Sequence, residues 1–329
     1  MRSIAILLLA ASAAAVPGTV ADAPAHRTFE FHYSAVVHDI PADAKRVEVW
    51  IPYPVTDPHQ TVSDVTVDCP FPTKIATDPE YGNKILSVAV DRPRDGSVPI
   101  AVSFRVVREE YVHRDFASAK PGGVEVPKKD EALMKRWLEP DRLVPLDRRI
   151  RDLSAKVTEG KSTPLEKARA IYDYVVSTMK YDKSGEGWGH GDIYWACDAH
   201  RGNCTDFHAL FIGLCRAAGI PARFSIGFPL PEQPGEGQIA GYHCWAEFWL
   251  DGYGWVPVDA SEASKHPDKR SYFFGAHDEN RVQLSMGRDI VLAPKQRGEP
   301  LNYFVYPYVE VDGKPFSETS KTITFRDEG

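Results

Sequence analysis

The sequence predicts an α+β protein in which an N-terminal β-sandwich precedes a mixed domain with a helix packed on an antiparallel sheet. Short alternating apolar runs, separated by turn residues, fill residues 28–111. An apolar pattern at steps of three and four begins at Cys204 and closes at Gly219, as in a helix with one buried face. Two strand patterns, residues 241–250 and 253–259, then follow with a short turn between them.

The composition is that of a folded protein, with 43% apolar and 26% charged residues in 329 positions. This length is enough for two domains. The formal net charge is −7 at pH 7. This balance argues against a nucleic-acid partner, because binding phosphates requires a basic face.

The first residues resemble an export signal. Arg2 precedes an apolar run over residues 4–16, which Pro17 and Gly18 end before a stretch of small residues. The run is shorter than the roughly 20 residues that span a bilayer. We therefore predict that residues 1–23 are a cleaved signal peptide, and that the mature protein is periplasmic or secreted without stable membrane insertion.

The rest of the chain divides into four predicted segments. They are an N-terminal β-sandwich domain (24–115), a linker with short helices (116–160), a second domain (161–275) and C-terminal strands that complete this second domain (276–329). The strongest helix start in the chain lies near the beginning of the second domain. There Thr163, Pro164 and Glu166 combine an N-cap, a first-turn proline and the acidic member of a capping box.

Cys204 is the leading candidate for a reactive residue. It lies at the predicted helix N-terminus, where unpaired backbone N–H groups and the helix dipole favour negative charge, so its thiol should ionise more easily. Cys215 falls on the apolar stripe of the same helix and is predicted to be a core residue.

The following hairpin offers the partners that a thiolate nucleophile needs. His243 begins one strand and Asp259 ends the next, so antiparallel pairing can bring them together at one end of the sheet. In that arrangement Cys204 attacks a carbonyl carbon, and His243 pairs with the thiolate and later protonates the leaving group. Asp259 accepts a hydrogen bond from the other ring nitrogen of His243.

Four motifs then resemble the core of the transglutaminase-like superfamily, a branch of the papain-like fold. They are residues 201–204 (RGNC), 219–223 (GIPAR), 242–247 (YHCWAE) and 254–259 (GWVPVD). The resemblance covers roughly residues 160–262 and implies that Cys204, His243 and Asp259 are catalytic. Cys244 departs from the family, in which alanine is common at this position, and adds a thiol near the site.

The oxyanion hole is harder to identify from sequence. One donor should be the backbone N–H of Cys204. In the superfamily that the chain resembles, the second donor is often a side chain. Trp195, Trp188 and Tyr181 all lie upstream at suitable distances in sequence, and we favour Trp195.

The resemblance and the residues together predict acyl transfer through a thioester on Cys204, with a protein or peptide amide as substrate. Hydrolysis, by a peptidase or amidase, is favoured because water is always available in the periplasm. Cross-linking to an amine is the alternative. No cofactor or metal is expected, and no loop carries the closely spaced oxygen ligands of a calcium site.

Three other readings compete with this one. A zinc site could use Cys197, His200 and Cys204 with His243 or Cys244, although it leaves Asp259 unexplained. Cys197 and Cys244 could instead form a disulfide, since the expected compartment is oxidising. The chain could also be a non-catalytic binding or scaffolding module of the cell envelope.

Overall fold

The structure is a computed structural model that describes residues 24–93, 96–118 and 123–328. The predicted signal peptide, residues 1–23, lies outside these described residues. The same holds for residues 94 and 95, for residues 119–122 of the predicted linker and for residue 329.

Strands fill the N-terminal part of the chain, as the alternating pattern predicts. They are β1 (His26–Val37), β2 (Arg46–Pro52), β3 (Gln60–Asp68), β4 (Thr73–Thr77), β5 (Lys84–Asp91), β6 (Val98–Glu109) and β7 (Tyr111–Val112). In β6 every second side chain, from Val98 to Val106, is buried. Successive residues of a strand point to opposite faces, so this alternation places one face of the sheet in the core.

Helices and strands then mix in the middle of the chain. The helices are α1 (Glu131–Arg136), α2 (Arg148–Val157), α3 (Pro164–Thr178), α4 (Ile193–Ala199), α5 (Cys204–Ala217) and α6 (Ala260–Lys265). The strands are β8 (Lys180–Tyr181), β9 (Arg201–Gly202), β10 (Ala222–Pro229), β11 (Glu236–Gln238), β12 (His243–Leu250), β13 (Gly254–Val258), β14 (Ala276–His277) and β15 (Arg281–Met286). Short 3-10 helices cover Phe116–Ser118, Lys128–Asp130 and Pro267–Lys269.

The capping box predicted at the start of α3 is confirmed. The Thr163 hydroxyl accepts from the Glu166 backbone N–H at 3.2 Å, and the Glu166 carboxylate accepts from the Thr163 N–H at 2.9 Å. These bonds satisfy N–H groups that an α-helix leaves free at its first turn.

A four-stranded antiparallel sheet of order β13-β12-β10-β15 lies behind α5. Alternate residues of β12 face the helix, and the Phe248 ring lies 6.3 Å from that of Phe211 between ring centroids. Gly227 of β10 pairs with His243 at a bulge in the sheet, where a Cβ would lie 1.8 Å from the Val282 carbonyl oxygen. Glycine is therefore required beside His243, because any side chain there would collide with the neighbouring strand.

The last strands of the chain are β16 (Tyr308–Val311), β17 (Lys314–Pro315) and β18 (Thr319–Asp327). They belong to two five-stranded antiparallel sheets, of order β11-β18-β1-β6-β3 and β17-β16-β2-β5-β4. The expectation that residues 276–329 complete the second domain is therefore wrong for residues 308–327, since β15 alone of the described strands in this range joins the four-stranded sheet.

The reason is a long-range pairing that periodicity cannot specify. Tyr33 of β1 pairs with Ile323 of β18 and Phe31 with Phe325, so the buried faces of the first and last long strands coincide. An amphipathic strand shows which of its faces is buried, but not which sheet it joins. The remaining domain limits stay predictions.

Buried side chains of both five-stranded sheets and of α5 form one contiguous cluster. Phe228 of β10 links the two parts, because its ring lies 5.8 Å from Phe31 and 6.2 Å from Tyr33. Within the described residues, no helix has the length and apolar character needed to cross a membrane.

Candidate active site

Cys204 is the first residue of α5, as predicted, and the preceding turn is tightly capped. The Asn203 side-chain oxygen accepts from the Thr205 N–H at 2.9 Å, and the Asp206 carboxylate accepts from the Asn203 N–H at 2.9 Å. This capping box fixes where the helix starts, and so fixes the position of the thiol. Only 2% of Cys204 is exposed.

His243 and Asp259 meet because of the β12–β13 ladder. Ala246 pairs with Val258, so Asp259, which follows β13 directly, lies beside the beginning of β12. His243 Nε2 is 2.7 Å from Asp259 Oδ2, and both side chains are buried. The structure therefore brings together the two residues that the hairpin pattern predicted to be neighbours.

The Cys204 thiol and the His243 side chain interact, and each shifts the pKa of the other. Since Nε2 of the ring is engaged with Asp259, Nδ1 is the nitrogen available to the sulfur. Burial raises the pKa of Cys204, but hydrogen bonds with Cys244 and His243 and the charge of His243 outweigh it and hold this pKa well below its ordinary value. The thiol is therefore poised to be a thiolate near neutral pH.

The His243 ring has the opposite shift. Burial lowers its pKa, but the Asp259 carboxylate, by its charge and hydrogen bond, and then Cys204 raise it to about 10. Between the lowered pKa of Cys204 and this value, the two groups form a thiolate–imidazolium pair. Such a pair supplies both a nucleophile and a proton donor.

Asp259 is itself held by several donors. Its Oδ2 lies 3.2 Å from Arg281 Nη1, while Oδ1 accepts from the Ser261 hydroxyl and the Glu262 N–H, both at 3.0 Å. Burial raises the pKa of the carboxyl, but His243 and Arg281 outweigh it and hold the pKa well below its usual range. Asp259 is therefore ionised and oriented toward His243.

Sequence reasoning missed Arg281 and His208. Arg281 begins β15 as a charged residue on a strand pattern, which gives no sign that it reaches Asp259. His208 is fully buried on α5, and its Nε2 accepts from the Ala260 N–H at 3.2 Å while lying 3.7 Å from Asp259 Oδ1. Burial lowers the pKa of His208, so a neutral ring joins the start of α6 to α5.

Asp206 was also missed, and it attaches the glycine-rich segment of residues 183–192 to α5. Its buried carboxylate accepts from the Gly189 N–H at 2.7 Å and the Gly191 N–H at 3.0 Å. The carboxylate lies against Gly202, where φ is +149° and a Cβ would be 2.7 Å from both Cβ and Cγ of Asp206. Only glycine fits at this position, immediately before the capped start of α5.

Tyrosines surround the thiol. The Tyr242 hydroxyl accepts from Asn203 Nδ2 at 2.9 Å and shares a hydrogen bond with Thr205 Oγ1 at 2.8 Å. The Tyr303 and Tyr306 rings pack on Tyr242 at 5.4 and 5.9 Å between centroids. Burial first, and then the charge on Cys204, raise the pKa of Tyr242, so this hydroxyl stays neutral and able to donate.

The three candidate oxyanion side chains differ in their surroundings. The Trp195 ring lies against Gly187 and 5.8 Å from the Arg201 guanidinium carbon, while the Trp188 indole N–H donates to the Gly185 carbonyl at 3.0 Å. Burial and then the charge on Cys204 raise the pKa of Tyr181, which indicates that its hydroxyl is near the sulfur. The choice of Trp195 stays a prediction.

The cysteines bear on the competing readings. All five are free thiols, so no Cys197–Cys244 disulfide is formed, and Cys215 is fully buried as predicted. Among the described residues, the groups whose side chains come within metal-ligand reach of one another are His243–Asp259–Glu262 and His38–Asp39–Glu318. Neither group contains Cys197 or His200, so the zinc set expected as a rival is not assembled.

Comparisons with known proteins concern the family and the fold of the chain. A family model described as the transglutaminase-like superfamily matches residues 151–260. An uncharacterised protein of Haemophilus influenzae is 30% identical over 310 residues, which cover 83% of this chain and 82% of the relative. The uncharacterised protein YebA of Bacillus subtilis is 25% identical over 139 residues, covering 37% of this chain and 18% of YebA.

The fold has a solved counterpart. A crystal structure described as a candidate cysteine protease from Cytophaga hutchinsonii gives a TM-score of 0.59 at 18% identity. The match covers 92% of this chain and 98% of that chain. At this identity the likeness concerns the fold alone, a mixed α/β arrangement with antiparallel sheets and a transglutaminase-like core.

Proposed function

The chain belongs to the transglutaminase-like superfamily, and from this we propose that it is a cysteine enzyme that transfers acyl groups through a thioester on Cys204. One observation carries the proposal. The Cys204 thiol, at the capped start of α5, is electrostatically paired with His243, whose Nε2 lies 2.7 Å from the buried Asp259 carboxylate. These three residues are the proposed catalytic triad.

The proposed reaction has two halves. The Cys204 thiolate attacks the carbonyl carbon of an amide, and the His243 imidazolium gives its proton to the departing amine as the C–N bond breaks. Water or a primary amine then attacks the thioester while neutral His243 accepts its proton, and the C–S bond breaks to restore the thiolate. Asp259 keeps the ring oriented and stabilises its charged form.

The oxyanion of each tetrahedral intermediate would bind the Cys204 backbone N–H, which points from the first turn of α5. We propose Trp195 as the second donor, with Tyr181 as the alternative that its nearness to the sulfur supports. Separate Trp195→Phe and Tyr181→Phe variants decide between them, because only loss of the true donor lowers kcat without a comparable change in KM.

We favour hydrolysis of a protein or peptide amide, as a peptidase or amidase, because water is always present to resolve the thioester. Cross-linking to an amine is the second candidate. A non-catalytic envelope module is disfavoured because such a module needs no ionised thiol beside a buried His–Asp pair.

Export and domain organisation complete the proposal. The pattern of residues 1–23 supports secretion or periplasmic location. We interpret the two five-stranded sheets, whose apolar faces share one core cluster, as a β-sandwich that includes the C-terminal strands β16 to β18.

The test is mass spectrometry of a peptide library incubated with the enzyme and an isotope-labelled primary amine. Cleavage or deamidation alone supports hydrolysis, whereas incorporation of the amine supports cross-linking. Cys215→Ala, a change at the other end of α5, should keep the activity. If Cys204→Ala keeps either activity, or if the unaltered protein shows neither and its Cys204 alkylates like an ordinary thiol, the proposal is wrong.

A further inference from the structure

Cys244 is a second thiol beside Cys204 that the acyl-transfer reaction does not use. It follows His243 in β12 and faces α5, with its Sγ 3.8 Å from Thr205 Oγ1 and 3.7 Å from His208 Nδ1. Thr205 directly follows Cys204, and His208 lies one helical turn after it, so Cys244 packs against the face of α5 that carries Cys204. The two thiols, one from a strand and one from a helix, therefore lie together in the proposed active site.

We propose that Cys204 and Cys244 form an oxidative modification site, at which a hydroperoxide such as hydrogen peroxide converts the two thiols into a disulfide. This inference needs the reactive Cys204 thiolate but not the acyl-transfer reaction. It assigns Cys244 the part of the resolving thiol, which traps the first oxidation product of Cys204.

The chemistry balances in two steps. The Cys204 thiolate attacks one peroxide oxygen, so an S–O bond forms, the O–O bond breaks, and Cys204 becomes a sulfenic acid as hydroxide leaves. The Cys244 sulfur then attacks the Cys204 sulfur, so the S–S bond forms and the S–O bond breaks. The second hydroxide takes up the Cys244 proton, and overall two thiols and one peroxide give one disulfide and two waters.

The electrostatics favour this order of events. Burial, and then the hydrogen bond and charge of Cys204, raise the pKa of Cys244, so Cys204 is the sulfur that reacts first with the oxidant. Once Cys204 is an uncharged sulfenic acid, its negative charge no longer opposes ionisation of Cys244. Oxidation of Cys204 therefore both creates the sulfur that Cys244 attacks and makes the Cys244 thiol easier to ionise.

Burial determines which reagents can take part. Cys204 is 2% exposed and Cys244 is 0% exposed. The exposed part of Cys204 is enough to admit a small peroxide, whereas Cys244 presents no surface to a reagent from outside the protein. A disulfide that uses Cys244 is therefore formed within the fold, where Cys244 Sγ lies 3.8 Å from Oγ1 of Thr205, the residue after Cys204.

The experiment treats the full chain with a small excess of hydrogen peroxide and blocks the remaining thiols with N-ethylmaleimide. After trypsin digestion, we expect residues 202–216 and 224–265 to appear as one linked peptide that has lost two hydrogens. Reductant should separate them and restore iodoacetamide labelling of Cys204. Because Cys215 lies in the first peptide, a Cys215→Ala variant must give the same link.

Cys244→Ala is the decisive variant. Without the resolving thiol, Cys204 should continue to the sulfinic or sulfonic acid, and reductant should restore less than about a tenth of its labelling, since these forms are not reduced by thiols. If the unaltered protein gives no link and is overoxidised as fast as Cys244→Ala, or links Cys204 to Cys197, the inference is wrong. These readouts are covalent, so they stand whether or not the protein hydrolyses an amide.

Discussion

The two ends of α5 carry cysteines with opposite acid–base behaviour. Both Cys204 and Cys215 are buried, and burial raises the pKa of each. At the first turn, hydrogen bonds with Cys244 and His243 and the charge of His243 reverse that effect. At the last turn only the charge of Arg216 opposes burial, and the pKa of Cys215 stays raised.

This difference shows that position at a helix start does not by itself make a cysteine reactive. The helix dipole contributes about 0.3–1 kcal/mol, which is less than the roughly 1.4 kcal/mol that corresponds to one pKa unit. Such a term cannot overcome the desolvation of a fully buried thiolate. The residues that reverse the pKa come from β12, so the partner strand decides the chemistry at the helix end.

The largest contrast should come from removing each cysteine. We expect Cys204→Ala to reduce kcat by on the order of 10⁴-fold or more, since it removes the proposed nucleophile. Cys215→Ala should change kcat less than about twofold and lower the free energy of unfolding by about 1 kcal/mol, for one small buried side chain. Steady-state kinetics measures kcat, and urea unfolding measures the free energy of unfolding. A loss of activity in Cys215→Ala would contradict the expectation that only the cysteine at the start of α5 is catalytic.

Removing the charge that orients His243 should have the next largest effect. Asp259→Asn should lower kcat by on the order of 10² to 10⁴-fold, because the ring loses the acceptor that fixes its tautomer and stabilises its cation. The pKa of His243 should fall from about 10, and the pKa of Cys204 should rise.

Asp278→Asn is the matched control. Asp278 also forms an ion pair with Arg281, at 3.2 Å, but it is not among the residues described above as contacting His243. It should keep most of the activity. Equal losses in both variants would mean that Arg281 pairing, and not the orientation of His243, determines the rate.

The pH profile tests the proposed ion pair directly. The lowered pKa of Cys204 makes the thiolate persist as pH falls, and the raised pKa of His243 keeps the imidazolium until about pH 10. Activity should therefore rise on the acidic side well below the ordinary thiol pKa and decline through about pH 10. Iodoacetamide should label Cys204 rapidly at about pH 6, far below the ordinary thiol pKa of about 8.5. Labelling that follows an ordinary thiol titration would contradict the pair.

A smaller effect is expected from the carboxylate that joins the glycine-rich segment to α5. Asp206→Asn keeps the shape but removes the charge and part of the capacity to accept from Gly189, Gly191 and Asn203. We expect a loss of about 1.5–3 kcal/mol in the free energy of unfolding, the usual contribution of one hydrogen bond to a charged group. The rate of Cys204 alkylation should fall less than in Asp259→Asn.

Asp192→Asn provides the comparison for that variant. Asp192 caps α4 by accepting from the Tyr194 N–H at 2.9 Å, and asparagine is an equally good N-cap. Its stability and Cys204 labelling should therefore stay close to those of the unaltered protein. If Asp206→Asn behaves the same way, the three backbone bonds do not hold the site.

Much of the site could be predicted because its signals are local. The helix start at Cys204, the apolar stripe that buries Cys215, and the hairpin that joins His243 to Asp259 each depend on a short stretch of chain. Arg281, His208 and Asp206 could not be predicted as members of the site. Their partners lie 22, 52 and 17 residues away, and no periodic pattern specifies such contacts.

The sequence by itself determined the strands, the capped helix and the order of Cys204, His243 and Asp259, because periodicity and capping are short-range properties of the chain. The tertiary structure decided that β18 returns to β1, that Cys244 faces Cys204, and that buried charges set the ionisation of the thiol. Such outcomes depend on which surfaces pack together, and on the balance between burial and neighbouring charges that sets the pKa of each group. The reactive end of α5 was therefore visible in the sequence, while its chemistry was fixed by folding.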